Sequence, residues 1–587
     1  MLRAPLLTLA LMGLGVAVPV ADNAPKSPGI EELLTLRTIA GVQISPDGKW
    51  IVYGVTETDF ERDAFVTQLW AVDASGGTPV QLTRGSKSSG GAQWSPDSQW
   101  IGFTSGRIDD KNQIFAIRPN GGEAVRLTKS ETAVTSFEWS ADGARIAYLA
   151  AEAESKERKD RKDRLGDFEV VRGEYVFTHI WTFDVVEALQ APVVGTQRTK
   201  GTTYNVGSLA WSPDGTKLAF HATTNADLVQ GHTADLYTLD LATDSVTPLV
   251  TQKGPDTGPR WSPDGSKIAF ESAMSRPDFY HANGRIAVVA ATGGTPVSVT
   301  DAFDEDPNLL DWTGVGILFS GLNKTTSHLF VANPSSKAIT RISQPDDLIG
   351  FSFSVSKDGS SVAFGAASPT TMAEVYAASR SGFSPRKLTD MTSQLASYRL
   401  GRRELVQWRS QDGAAIEGVL VRPADFDPTK KYPLMVIIHG GPTGIDRPVL
   451  LENRYYPVET WVGRGALVLK VNYRGSAGYG EKFRQLNVRN LGVGDAWDVV
   501  AGIDHLVAKG WVDPARVGCM GWSQGGYISA FLTTSTTKCA AVSVGAGISN
   551  WATYYYNTDI TQFTIQYLAK TPPPIRRSTR RPPRCRT

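Results

Sequence analysis

At 587 residues, 41% apolar and 20% charged, the chain has ordinary globular composition and is too long for one core, so two or more domains are expected. A formal net charge of +1 gives no support to nucleic acid as a partner. Cys519, Cys539 and Cys585 are too few and too scattered for a disulfide framework, and without H-E-x-x-H or paired C-x-x-C motifs no metal or other cofactor is expected.

The first element is an address. Met1-Leu2-Arg3 gives a positive start, residues 6–18 are almost wholly apolar, and small residues near Ala17 and Ala21 offer cleavage points. Residues 1–21 therefore read as a secretory signal, too short for a comfortable membrane span, with an uncleaved anchor as the alternative. No other stretch is apolar enough to span a bilayer, so no stable membrane span is expected once the signal is removed. The expected location is periplasmic or secreted.

Residues 22–395 repeat a short grammar: an aromatic or aliphatic residue, Ser-Pro-Asp-Gly, then a β-branched apolar run. It begins at Ile44-Ser45-Pro46-Asp47-Gly48 and returns after Trp94, Trp139, Trp211 and Trp261, with degenerate copies at Trp312-Thr313-Gly314 and Val355-Ser356-Lys357-Asp358-Gly359. Proline presets φ and glycine accepts positive φ, so each copy is a tight turn between short strands. A period of about 45–50 residues suits a four-stranded propeller blade. Seven copies predict an all-β seven-bladed propeller, with the turns serving the fold rather than binding a ligand. Between Asp142 and Asp214 the interval is longer and holds a mixed-charge run, 152–164, which reads as a solvated loop or helix, or else a lining for a substrate entrance.

Residues 396–570 read differently. The continuous apolar runs at 434–438 and 466–471 suit parallel strands buried on both faces. Helical spacing of Trp497, Val500, Ile503 and Val507 predicts a helix over 496–508. A strand at 517–520 leads into Gly521-Trp522-Ser523-Gln524-Gly525-Gly526, and 525–534 reads as the next helix. Alternating strands and helices predict a doubly wound, mostly parallel α/β sheet.

Gly-x-Ser-x-Gly between a strand and a helix is a nucleophile elbow. Gly521 and Gly525 permit the sharp turn that pushes the Ser523 hydroxyl outward, beside the positive end of a helix. Upstream, Ile438-His439-Gly440-Gly441-Pro442 follows a buried strand. The Gly441 and Gln524 N–H groups are expected to form a two-donor oxyanion hole, and His439 to hold its loop by a hydrogen bond rather than act as a base.

The Ser-Pro-Asp-Gly propeller, His439-Gly440-Gly441-Pro442, Asn472-Tyr473-Arg474-Gly475-Ser476 and Gly521-Trp522-Ser523-Gln524-Gly525-Gly526-Tyr527 together resemble the prolyl oligopeptidase family of serine peptidases, in its acylaminoacyl-peptidase and dipeptidyl-peptidase branch. The resemblance runs from about residue 28 to residue 569. It implies an active site between propeller and α/β-hydrolase domain, short peptides as substrates, Ser523 as nucleophile, and Tyr473 and Arg474 shaping the site floor or serving only the fold. It leaves open whether the substrate begins with a free or an acylated amine, and the oligomeric state. A carboxylesterase shares the elbow, and a non-catalytic periplasmic interaction module is the alternative carried by the repeats alone.

The family's acid and histidine lie beyond the elbow. Here the last histidine is His505 and the only acid after Ser523 is Asp559, in a tyrosine-rich segment that does not suit the triad acid. Residues 571–587 are rich in Pro and Arg, with Ile575 and Cys585 as their only apolar residues. A frameshifted or misassembled end and a basic arm on a pseudoenzyme both fit; the abrupt mid-domain change favours the first. Either way the chain is expected to be close to inactive, and its sheet to end in an unpaired edge.

Overall fold

A computed structural model describes residues 25–168, 173–452 and 455–571. The signal-like segment 1–21 and nearly all of the Pro/Arg-rich tail lie outside the described residues.

Seven four-stranded antiparallel sheets follow one another from Thr38–Ile44 to Arg386–Lys387, each built from four consecutive strands. They are the seven blades of the propeller. Blade one meets blade seven directly: the Ile44 amide donates to Ser354 Oγ at 3.1 Å and the Lys357 amide to the Pro46 carbonyl at 3.0 Å. Ile44, Ile51 and Val72 of the first blade share an apolar core with Ala363, Val375 and Ala377 of the last.

The repeat explains itself at atomic level. In six turns the serine hydroxyl donates to the aspartate two residues on, at 2.5–2.6 Å. The same hydroxyl accepts the amide five residues on, as Trp50 does on Ser45 and Lys217 on Ser212, both at 2.9 Å. Hydroxyl and carboxylate thus satisfy the amides that a tight turn leaves free. The tryptophan before the turn stitches neighbouring blades. Trp94 Nε1 donates to the Gln43 carbonyl, Trp211 to Glu138 and Trp261 to Ala210, at 3.1–3.2 Å. Each acceptor is the residue before the matching position in the preceding blade.

These turns join the first and second strands of each blade. Contacts with the second domain come from the opposite rim: Arg276 and Lys324 between second and third strands, and Glu305 and Asp306 between blades. The repeat turns therefore face away from the second domain. The charged run forms an exposed helix, Lys156–Leu165, capped by Ser155 and laced by ion pairs such as Lys162 with Glu154 at 3.0 Å. It joins the second and third strands of blade three, on the rim that faces the second domain.

The second domain holds a six-stranded sheet in the order 402–409, 415–422, 467–472, 432–438, 512–522, 541–545. Its last four strands run parallel. Leu467–Asn472 is buried at every position, which accounts for its unbroken apolar run. Helix Gly494–Ala508 packs Val499, Ile503 and Leu506 onto the same core as Val436 and Leu469. Among the described residues the far edge of Ala541–Gly545 has no partner strand.

The cysteine reading needs correction. Cys519 and Cys539 form a disulfide. The Ala540 amide bonds to the Val517 carbonyl at 2.8 Å and turns the chain back beneath Cys519, a neighbourhood that sequence spacing does not reveal.

Candidate active site

Register brings the motifs together. Ile438 pairs with both Val471 and Gly521 in the parallel sheet. The loops at His439, Tyr473 and Ser523 therefore leave adjacent strands at one level, at their carboxyl ends, where open α/β sheets place their sites.

Ser523 sits between strand Val512–Trp522 and helix Gln524–Ser535 with φ 58° and ψ −119°, a conformation that favours glycine. Crowding explains the glycines around it. A Cβ on Gly521 would stand 2.5 Å from the Ile438 carbonyl oxygen, and one on Gly525 would overlap that same oxygen. The result is an exposed serine at a helix N-terminus, with Trp522 beside it 64% exposed.

The glycine loop reaches the serine. A Cβ on Gly440 would lie 3.3 Å from Ser523 Cβ and 3.9 Å from its Oγ. Gly441, at φ 132°, has no room for a side chain over the amides of Thr443 and Gly444. Among the described residues, neither the Gly441 nor the Gln524 amide donates to a protein acceptor, so both are free to meet a substrate oxygen.

His439 is fully engaged. Its Nδ1 bonds to the Gly440 carbonyl at 2.8 Å and its Nε2 to the Ser476 hydroxyl at 2.9 Å. Burial lowers its proton affinity. Tyr473, fully buried, stacks on it with ring centroids 4.5 Å apart and donates its hydroxyl to the His439 carbonyl at 2.9 Å. Both residues brace the loop.

Arg474 does not contribute to the floor of the site. Its buried guanidinium bonds to Asp498 and Asp412, each at 2.7 Å at the nearest, and to Ser410 at 3.1 Å. The purely structural reading of Arg474 is the one the contacts support.

Among the described residues no side chain hydrogen-bonds the Ser523 hydroxyl. His505 stacks on Trp408 and lines a groove with Phe531 and Ser535, at the other end of the elbow helix. Asp559 lies exposed between helices Trp551–Asn557 and Thr561–Leu568.

One site residue escaped the sequence. Asp495, fully buried, accepts the Gln524 side-chain amide at 3.1 Å, and burial pushes its carboxyl up to about 7. The only sequence signal is an acid three residues before another, Asp498, in the first half of a helix that also carries Asp504 and His505.

Residues 454–580 match the model of the prolyl oligopeptidase family. That segment of the chain is a prolyl oligopeptidase family domain. An uncharacterized peptidase of Bacillus subtilis, YuxL, is 25% identical over 562 residues, covering 91% of this chain and 84% of that protein. Dipeptidyl-peptidase 5 of Porphyromonas endodontalis is 26% identical over 557 residues, covering 90% and 79%. Pyrococcus horikoshii acylaminoacyl peptidase superposes with a TM-score of 0.76 at 18% identity, covering 93% of this chain and 82% of that one. That likeness extends over propeller and hydrolase together, so the chain shares the two-domain fold as a whole.

Proposed function

We propose that this protein is built to hydrolyse short peptides through an acyl-enzyme on Ser523. The observation that carries the reading is the strained, exposed Ser523 turn lying directly against the Gly440-Gly441 loop. In this reading the Ser523 hydroxyl attacks a peptide carbonyl, and the Gly441 and Gln524 amides receive the oxyanion. Two peptidase relatives that align over nine-tenths of the chain support peptides over simple esters. Propeller residues Lys324 and Glu305 bond to Gly478, in the loop after strand Leu467–Asn472, so the propeller docks at the end of the sheet that carries Ser523, which favours small substrates.

Among the described residues no side chain is placed to act as base on the Ser523 hydroxyl. His439 is held at both nitrogens, and no histidine follows His505. Loss of the base alone costs about 10⁶ in turnover, while oxyanion hole and binding leave roughly 10³–10⁴ over water. The signal pattern at residues 1–21 and the Cys519–Cys539 disulfide both support export to an oxidising compartment.

A fluorophosphonate probe tests the nucleophile. Prolonged labelling followed by peptide mapping is expected to place the adduct on Ser523, and Ser523→Ala to abolish it. An adduct on another residue, or peptide p-nitroanilide turnover untouched by Ser523→Ala, would sink the assignment.

A further inference from the structure

The Gln524 amide is a useful oxyanion donor only if the first turn of the elbow helix is held still, and the turn carries strain that works against this. Its side chain shows what holds it. Gln524 is 1% exposed, and its Nε2 donates to Asp495 Oδ2 at 3.1 Å. Its Oε1 is buried with no hydrogen-bond partner among the described residues. The contact with Asp495 is thus the single polar anchor that these contacts provide for a wholly buried amide.

Asp495 has further amide partners of its own. Its Oδ1 accepts the Ala496 amide at 2.8 Å. Asp498 on the same helix adds like charge. The neighbouring Arg474 guanidinium is bonded to Asp498 and Asp412 instead. Tyr473, from the loop after strand Leu467–Asn472, and Tyr527, from the elbow helix, are both raised chiefly by burial, and the Asp495 charge adds to it. The Gly492 amide faces it from the preceding loop. The carboxyl thus sits in a dry site, held by neutral amides, and among the described residues no cation is bonded to it.

We propose that Asp495 is the positioning residue of the oxyanion hole: it anchors the Gln524 side chain and so fixes the Gln524 backbone N–H beside Ser523. The inference rests on the reading of Ser523 as nucleophile. Both protonation states serve as the anchor. The carboxylate accepts from Nε2, and the acid donates to Oε1 once the amide turns over. They differ in electrostatics, because an anion behind the donor opposes the negative charge that develops in front of it. Titration near neutrality makes the donor pH-sensitive from behind.

The test compares Ser523 labelling by a fluorophosphonate in the full chain, wild type against Asp495→Leu and Asp495→Asn, from pH 5.5 to 8.5. Asp495→Leu is expected to label roughly tenfold or more slowly at every pH, short of the 10²–10³ lost with a whole donor. The rate ratio of wild type to Asp495→Asn is expected to fall sigmoidally on the alkaline side, since asparagine anchors without ever becoming an anion. A purely structural role would leave that ratio flat. A flat ratio, or Asp495→Leu labelling at the wild-type rate, overturns the proposal and leaves the nucleophile reading intact. If Asp495→Leu does not fold, the asparagine ratio decides. Failure to label Ser523 in the wild type overturns the nucleophile reading instead. Amide exchange over residues 523–527 then decides the anchor: faster exchange in Asp495→Leu or Asp495→Asn supports it, and unchanged exchange in both overturns it.

Discussion

Arg484 of the catalytic domain is buried against Glu305 of the propeller, with side chains 2% and 4% exposed. Asp306 takes the other arm of the guanidinium at 2.6 Å, and the Gly478 amide also donates to Glu305. Two charges enclosed at a domain seam depend on each other. Burial alone raises the Glu305 carboxyl, and Arg484 acts against that. Removing one partner strands the other, at a cost of about 3–5 kcal/mol. Arg484→Ala should therefore lower the urea midpoint sharply. Pairing it with Glu305→Ala should recover part of the loss. A double variant as damaged as the sum of the singles would mean that the two charges do not act as a pair.

Ser523 occupies backbone that favours glycine, at φ 58° and ψ −119°. Strain of this kind costs about 1–3 kcal/mol. Ser523→Gly should then be more stable than Ser523→Ala by about 1 kcal/mol or more, although both lack the hydroxyl. Equal melting temperatures for the two variants would show that the turn is not strained.

How far the sequence carries depends on the range of the interaction. The Ser-Pro-Asp-Gly turns are legible because serine, aspartate and the amides they satisfy lie within five residues of one another. The elbow is legible for the same reason, since the backbone that crowds Gly521 belongs partly to Gly525. Arg474 misleads because it is the chain neighbour of Tyr473: one side chain braces the His439 loop while the other reaches to Asp412 and Asp498. Asp495 and the cysteine pair are set by sheet register and helix packing over 20 residues or more, and no local pattern records them.

Within the propeller, Glu138 and Asp311 line an axial cavity of about 1130 Å³ with Arg260. Arg260 reaches past Ala210, on the blade between, to within 3.8 Å of Glu138. Burial pushes Glu138 up to about 7, and Arg260 only partly offsets it. A carboxyl raised above its unfolded value of about 4.3 adds stability that is complete below that pH and is lost as pH rises toward 7. Water in the cavity touches 29% of the side chain and softens the effect. Glu138→Gln should flatten the fall in melting temperature between pH 4.5 and 7.5. An unchanged slope would place the carboxyl in ordinary solvent.

The Cys519–Cys539 disulfide closes a loop of 20 residues that contains the whole elbow: Ser523, Gln524 and the helix Gln524–Ser535. In the chain-entropy account such a cross-link contributes about 3 kcal/mol by restricting the unfolded chain. It also ties the strand before Ser523 to the entry of Ala541–Gly545, whose outer edge is unpaired among the described residues. Loss of the bond should therefore loosen the nucleophile turn and the exposed edge together. Cys539→Ser, or reductant added to the wild type, should lower the melting temperature and increase amide exchange over 519–545, with little change in the blades. Protein prepared without reductant should carry no free thiol at either position. Two free thiols in oxidised protein, or a melting temperature indifferent to reductant, would remove the cross-link and with it the structural support for export.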